Sequence, residues 1–174
     1  EIFFNEFDKI QKQILNKDNQ FFKNTWGDAL LVCSYDYFDL ADIALNLRDA
    51  FKKTNWIRLG LPKLEIRIGV HTDRITIYSK DNEIVDISGN GVDKGARIEP
   101  IVEPNKVFAS DLFYQHLKDE QNSNIQIVPI GLKPLAKNYG EMELYELLWD
   151  YEETKEVNNI NTSEFNVTLP KIKK

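Results

Sequence analysis

Apolar residues fall at spacings of three and four at Phe3, Phe7, Ile10 and Ile14, which predicts an amphipathic helix over residues 2 to 15. Residues 21 to 32 then read as two short strands around Gly27. A second helix is predicted over residues 37 to 53, with Leu40, Ile43, Ala44, Leu47, Ala50 and Phe51 on its buried side and Asp39 near its start to suit the dipole. Leu64, Ile66, Ile68 and Val70 alternate with Glu65, Arg67 and Gly69, the period of a half-buried strand. Residues 74 to 78 continue as another strand, with a turn at 80 to 83. Ser88-Gly89-Asn90-Gly91 breaks the next strand ahead of a helix over 92 to 98 that stops near Pro100. Residues 106 to 109 form a short strand, Ser110 or Asp111 caps a helix over 112 to 117, and 125 to 128 are again extended. Met142, Leu144, Tyr145 and Leu147 close the pattern as a strand before Asp150.

Helices and strands mix without strict alternation, so the fold class is α+β: a mostly antiparallel sheet with helices packed on one face, around a ferredoxin-like core. Residues 1 to 150 make one domain, and 151 to 174 turn polar and end on lysines, as a tail that docks weakly or acts as a linker. The sequence shows no internal repeat and no low-complexity tract. Its first residue is Glu1 and its only methionine is Met142, so the expectation is that the chain starts partway into a longer product.

Charge narrows the partners. A net charge of −6 and a pI near 5.0 argue against a nucleic-acid surface, so an anionic ligand needs a local positive site or a bound metal. Cys33 is the only cysteine, which excludes an internal disulfide, suggests a buried structural thiol and fits a reducing cytoplasm. No run of eighteen apolar residues and no basic-then-apolar N-terminal pattern is present, so a soluble cytoplasmic protein with no membrane segment in this chain is expected.

Candidate chemistry starts at Gly27-Asp28, where a turn lifts a carboxylate to a sheet edge and could hold a divalent metal; Gly-Asp is also ordinary turn chemistry. Asp93 and Arg97 are four residues apart, hence on one face of a helix. His71 ends a strand and His116 lies far off on an exposed helix, so a solvated or hydrogen-bonded histidine is expected rather than a zinc ligand. Phe3, Phe4, Phe7, Phe21 and Phe22 read as core or dimer packing. Gly89 and Gly91 lack the third glycine and downstream acid of a dinucleotide fingerprint.

Taken in order, the Gly-Asp hairpin, Arg67-Ile68-Gly69-Val70-His71, the segment from Asp86 to Arg97 and the turn Leu135-Ala136-Lys137 ahead of an aromatic strand resemble the class III nucleotidyl cyclase catalytic domains. The resemblance covers roughly residues 1 to 150. Ala96-Arg97-Ile98-Glu99-Pro100, followed by Pro104, Val107 and Ser110, looks most like small bacterial cyclases, among them the pyrimidine cyclases of anti-phage Pycsar defence.

That resemblance implies a cyclase fold and phosphoryl transfer, in which the ribose 3′-hydroxyl of a nucleoside triphosphate attacks its own α-phosphate and pyrophosphate leaves. It implies two Mg²⁺ or Mn²⁺ ions per site, with Asp28 as one metal ligand, Arg97 as the group that neutralises charge on the α-phosphate, and Lys137 as a further phosphate contact. It also implies a homodimer with sites at the subunit interface, metal aspartates from one subunit and arginine from the other. The family's first metal aspartate, in an opening strand, has no counterpart here, because Asp8 lies on the first helix; strand and aspartate are expected upstream of Glu1.

Two positions depart from the family pattern. Asp93 stands where an asparagine orients the ribose, and a carboxylate accepts a hydrogen bond but does not donate one; it also suits the first turn of a helix. Asn24 stands where a lysine reads adenine, while Asp86 keeps the place of the acidic partner, so the likeness tips the substrate towards UTP or CTP over ATP and the product towards cUMP or cCMP over cAMP. The alternative is a regulatory or nucleotide-sensing dimerisation module with the same fold and an impaired site.

Overall fold

The computed structural model describes residues 1–118 and 124–151. It opens with helix α1 (Ile2–Ile14), followed by a hairpin of β1 (Phe22–Trp26) and β2 (Ala29–Cys33). Helix α2 (Tyr37–Lys53) begins where Asp36 accepts a hydrogen bond from the Asp39 backbone N–H at 2.9 Å, an N-cap that ties the helix start to one side chain. Strand β3 (Ile68–Val70), the hairpin β4 (Thr76–Lys80) and β5 (Glu83–Ser88), and helix α3 (Asn90–Ile98) come next. Strand β6 (Val107–Ser110), helix α4 (Asp111–Leu117) and the long strands β7 (Ile125–Pro134) and β8 (Glu141–Trp149) complete the fold.

Four strands form the main sheet in the order β3-β6-β8-β7, and each of the two hairpins is a separate two-stranded sheet. The expected antiparallel pairing holds for β6 with β8 and β7 with β8, whereas β3 and β6 run parallel. A parallel pair needs a crossover, and here the segment between the two strands holds the β4–β5 hairpin and α3.

Side chains alternate across each strand, so β6 buries both faces. Val107 and Ala109 join Ala41, Leu45 and Phe113 on the side of α2 and α4, while Phe108 joins Ile98, Leu135 and Leu144 on the side of α3. Helices thus cover both faces of the sheet rather than one. A further cluster packs α1 on α2 through Phe7, Ile10, Ile43, Leu47 and Phe51, sealed by Trp56, whose indole N–H donates to the Phe51 carbonyl at 3.0 Å. Of the N-terminal aromatics, Phe7 and Phe22 are core, but Phe4 is 52% exposed and Phe21 stacks on Tyr35 instead.

Arg48 is an uncommon core member, 1% exposed, whose guanidinium meets Asp49 at 2.8 Å; the other oxygen of Asp49 accepts from the Trp149 indole at 3.0 Å. Removal of one partner would leave a buried charge, so this link fastens α2 to β8.

Two glycines are set by close approach. A Cβ on Gly69 would stand 2.8 Å from the Glu99 backbone nitrogen, so β3 runs against the end of α3 only because no side chain intervenes. Gly89, at φ +119, places the start of α3 against the Arg74 carbonyl. Of the tail expected over 151–174, residues 152–174 lie outside the described residues. No helix among the described residues is long and apolar enough to cross a membrane.

Candidate active site

Asp28 sits at the tip of the first hairpin. Trp26 pairs with Ala29, so Gly27 and Asp28 form a two-residue loop, with Gly27 at φ +64 as such a loop requires at its first position. The expected sheet edge is therefore the exposed tip of a free-standing hairpin. Asn24 lies on β1 with its side-chain oxygen turned back to the Thr25 backbone N–H at 2.8 Å. Between α1 and β1 runs a groove of about 310 Å³ lined by Asp8, Gln11, Lys23 and Asn24; neither Arg97 nor Lys137 reaches it.

Asp93 and Arg97 lie on α3, and Asp86 lies on β5, the strand that precedes it. Asp86 is exposed on β5 and accepts from the Ile87 backbone N–H at 2.9 Å. Asp93 is exposed in the first turn of α3, and its N–H donates to the Gly89 carbonyl at 3.0 Å, so the position itself is good helix chemistry. Arg97 is half-buried one turn further on, followed by the fully buried Ile98. Its Nε is buried with no hydrogen-bond partner, and its guanidinium carbon lies 5.5 Å from the centre of the Tyr139 ring.

Tyr139 and Lys137 share one strained turn. Lys137 and Asn138 adopt left-handed φ values of 60° and 56°, and the Leu135 N–H closes the loop on the Gly140 carbonyl at 2.8 Å. Leu135 packs in the same cluster as Ile98, which brings the lysine turn to the arginine helix. No carboxylate among the described residues pairs with Arg97 or Lys137. In a chain of net charge −6, these are two cations without a carboxylate partner among the described residues, on elements that share a buried cluster.

No hydrogen bond or ion pair among the described residues joins Asp28 or Asn24 to this group. The predicted residues thus divide into a hairpin pair, Asn24 and Asp28, and a set carried by β5, α3 and the 135–140 turn, formed by Asp86, Asp93, Arg97 and Lys137. Asp28 offers the hard oxygen that Mg²⁺ or Mn²⁺ prefers, but one carboxylate is not a metal centre, and no three potential ligands cluster among the described residues. The donor set of a single described protomer therefore does not by itself fit two ions.

Two further features stand beside the predicted site residues, the first being His71, which is hydrogen-bonded, one of the two states expected for it. His71 is 1% exposed at its side chain, and its Nδ1 lies 2.7 Å from the Ser110 hydroxyl, which also caps α4 by accepting from the Phe113 N–H. Burial and the nearby Lys94 ammonium hold its pKa below the ordinary histidine value, partly opposed by Asp73. The other is Tyr139, whose neighbourhood to Arg97 spans more than forty residues of sequence and has no periodic signature. Cys33 is partly exposed rather than buried, although burial still pushes its thiol up to about 11.

The fold is that of the adenylyl and guanylyl cyclase catalytic domains. The adenylyl cyclase CyaB from P. aeruginosa superposes with a TM-score of 0.65 at 19% identity, over 84% of this chain and 80% of that one. The guanylate cyclase domain of RhGC from Catenaria anguillulae, solved in complex with GTP, gives 0.63 at 21% identity over 85% and 80%. An adenylate cyclase of Trypanosoma brucei in its monomeric state gives 0.69 at 16% identity over 80% and 76%. No family model matches the sequence, and no curated protein matches it either.

Proposed function

We propose that this chain is a nucleotidyl cyclase catalytic domain that converts a nucleoside triphosphate to a 3′,5′-cyclic mononucleotide and pyrophosphate. The observation that carries the reading is the pair of unneutralised cations, Arg97 and Lys137, held together on a cyclase fold while Asp28 stands apart on an exposed hairpin tip. Such a division suits a site completed by a second copy of the chain, with Asp28 from one protomer facing Arg97 from its partner.

In the reaction, the 3′ oxygen forms a bond to the α-phosphorus, the bond from that phosphorus to the bridging oxygen of the β-phosphate breaks, and the hydroxyl proton is released to water. Negative charge grows on the α-phosphate, where the fixed planar donors of Arg97 stabilise it, and Lys137 contacts the phosphate chain. Asn24 and Asp86 face the base, and Asp93 accepts a hydrogen bond from the ribose. Asp28 would be one ligand of a Mg²⁺ or Mn²⁺ ion, which when bound would supply Lewis-acid activation of the hydroxyl and neutralise charge on the triphosphate. We further propose a pyrimidine substrate, UTP or CTP, because Asn24 replaces the amino group that a lysine would offer to adenine, and a cytoplasmic signalling role in anti-phage defence.

Incubation of the protein with ATP, GTP, CTP and UTP in Mn²⁺ tests this, with pyrophosphate and cyclic product as readouts. The expected result is a cyclic pyrimidine nucleotide, lost in Asp28→Ala and in Arg97→Ala and partly restored when the two variants are mixed. Product from none of the four triphosphates would leave a second reading, a nucleotide-sensing dimerisation module, which Asp93 favours because it sets a carboxylate beside the proposed triphosphate.

A further inference from the structure

We infer that Tyr139 is a positioning residue that holds the Arg97 guanidinium in place by presenting its ring face to the cation; the inference rests on the cyclase reading for its purpose, though not for its geometry. Arg97 lacks the usual means of fixing an arginine head. Its Nε is buried without an acceptor, and no carboxylate among the described residues pairs with it. A long side chain left so would sample several rotamers, and an arginine meant to meet a phosphate would lose alignment. A specific contact at the head is the Tyr139 ring, with the guanidinium carbon 5.5 Å from its centre, inside the range of a cation–π interaction.

The backbone that carries the ring is itself constrained. Tyr139 follows two left-handed residues, Lys137 and Asn138, and precedes Gly140 at φ +95, in a loop closed by the Leu135 to Gly140 hydrogen bond. Leu135 and Ile98 anchor turn and helix in one buried cluster, so ring and guanidinium extend from neighbours of a common core. Backbone strain of this kind persists where the surrounding structure demands the conformation. A ring contact also fixes a cation without neutralising it, as a carboxylate would, and so leaves the charge for an anion. Tyr139 remains 43% exposed, which places the pair at the surface where a ligand arrives.

Tyr139→Leu and Tyr139→Phe separate the ring face from the hydroxyl and from simple bulk. With the most active triphosphate and Mn²⁺, Tyr139→Leu is expected to lower kcat roughly ten- to a hundredfold with a smaller change in KM, since misplacement of a transition-state donor acts chiefly on the chemical step. Tyr139→Phe is expected to recover most of that loss. Mixing assigns the half-site: Tyr139→Leu regains activity when mixed with Asp28→Ala but not with Arg97→Ala, because Tyr139 and Arg97 serve the same site from one protomer. Parental kcat in Tyr139→Leu, an equal loss in Tyr139→Phe, or recovery with Arg97→Ala would overturn the proposal. An NMR measurement of the Arg97 Nε–H resonance, assigned with Arg97→Lys, needs no turnover: a ring-current shift in the parent and in Tyr139→Phe that vanishes in Tyr139→Leu supports the contact, and an unshifted parent resonance overturns it. Absence of cyclic product from the parent, with the ring-current shift present, overturns the cyclase reading and the catalytic purpose of Tyr139 while the contact stands.

Discussion

The two halves of the candidate site are built by different means. Arg97 and Lys137 rest on α3 and the 135–140 turn, which share a buried cluster with β6 and β8, and the aromatic Tyr139 lies against the guanidinium. Asp28 and Asn24 rest on a two-stranded hairpin that pairs with no other strand and exposes its tip. Side chains carried by elements of a common core are oriented before any ligand arrives, whereas a carboxylate on an exposed hairpin tip takes its geometry from whatever meets it. The difference teaches that one protomer carries its two candidate cations on a packed core and its candidate metal ligand on a separate, exposed tip.

The sharpest break of that comparison comes from removing one charge in each half. Arg97→Ala and Asp28→Ala are each expected to lower kcat/KM by a hundredfold or more, while the thermal midpoint changes little, because among the described residues neither side chain sits in an ion pair and neither residue is fully buried. A coupled pyrophosphate assay beside a thermal melt reads both quantities. Ile98→Ala attacks the foundation of the prepared half instead. Ile98 is 0% exposed, so its truncation is expected to cost about 2–5 kcal/mol in urea unfolding, and clearly more than Leu30→Ala on the half-buried hairpin.

Acid titration offers a smaller effect with a definite sign. The folded-state pKa of His71 lies below its ordinary value of 6.5, so the unfolded chain binds the extra proton first as pH falls. The stability that His71 contributes is complete above about pH 6.5 and is lost as pH drops through its lower folded value. Melts from pH 7.5 to 5 should show this decline, and His71→Gln should flatten it, with Ser110 still capping α4. The smallest effect is expected from Lys137→Gly. Relief of a left-handed lysine at φ 60 should stabilise the turn by roughly 1 kcal/mol, while triphosphate affinity falls with the lost cation. A rise in melting temperature with weaker substrate binding would show that strain is stored there for the ligand.

Local signals carried much of the fold into the sequence. The second helix is legible from residue 37 to 53 because its apolar stripe is continuous, and the β1–β2 and β4–β5 turns are legible because Gly27 and the Asp81-Asn82 pair take positive φ where two-residue turns need it. Where pairing decides, the sequence misleads. Residues 64 to 67 alternate like a strand, and Leu64 and Ile66 do pack inward, yet only Ile68–Val70 joins the ladder, because the parallel strand begins at Val107 and Ile66 meets Asn105 ahead of it. The extended segment expected over 125 to 128 is longer in the structure, where β7 runs on to Pro134 through a register shift between Pro129 and Gly131. That strand is the sheet's edge, where a missing N–H leaves no ladder bond broken.

Residue order and spacing alone determined the α+β class, the hairpin that carries Asp28, and the four-residue interval that puts Asp93 and Arg97 on one helix, since each follows from turn chemistry or helical period. The tertiary structure alone decided that helices cover both sheet faces, that β3 and β6 run parallel, and that Tyr139 meets Arg97. These depend on contacts between residues tens of positions apart, whose partners are chosen by the burial of a common core and leave no mark in any local pattern.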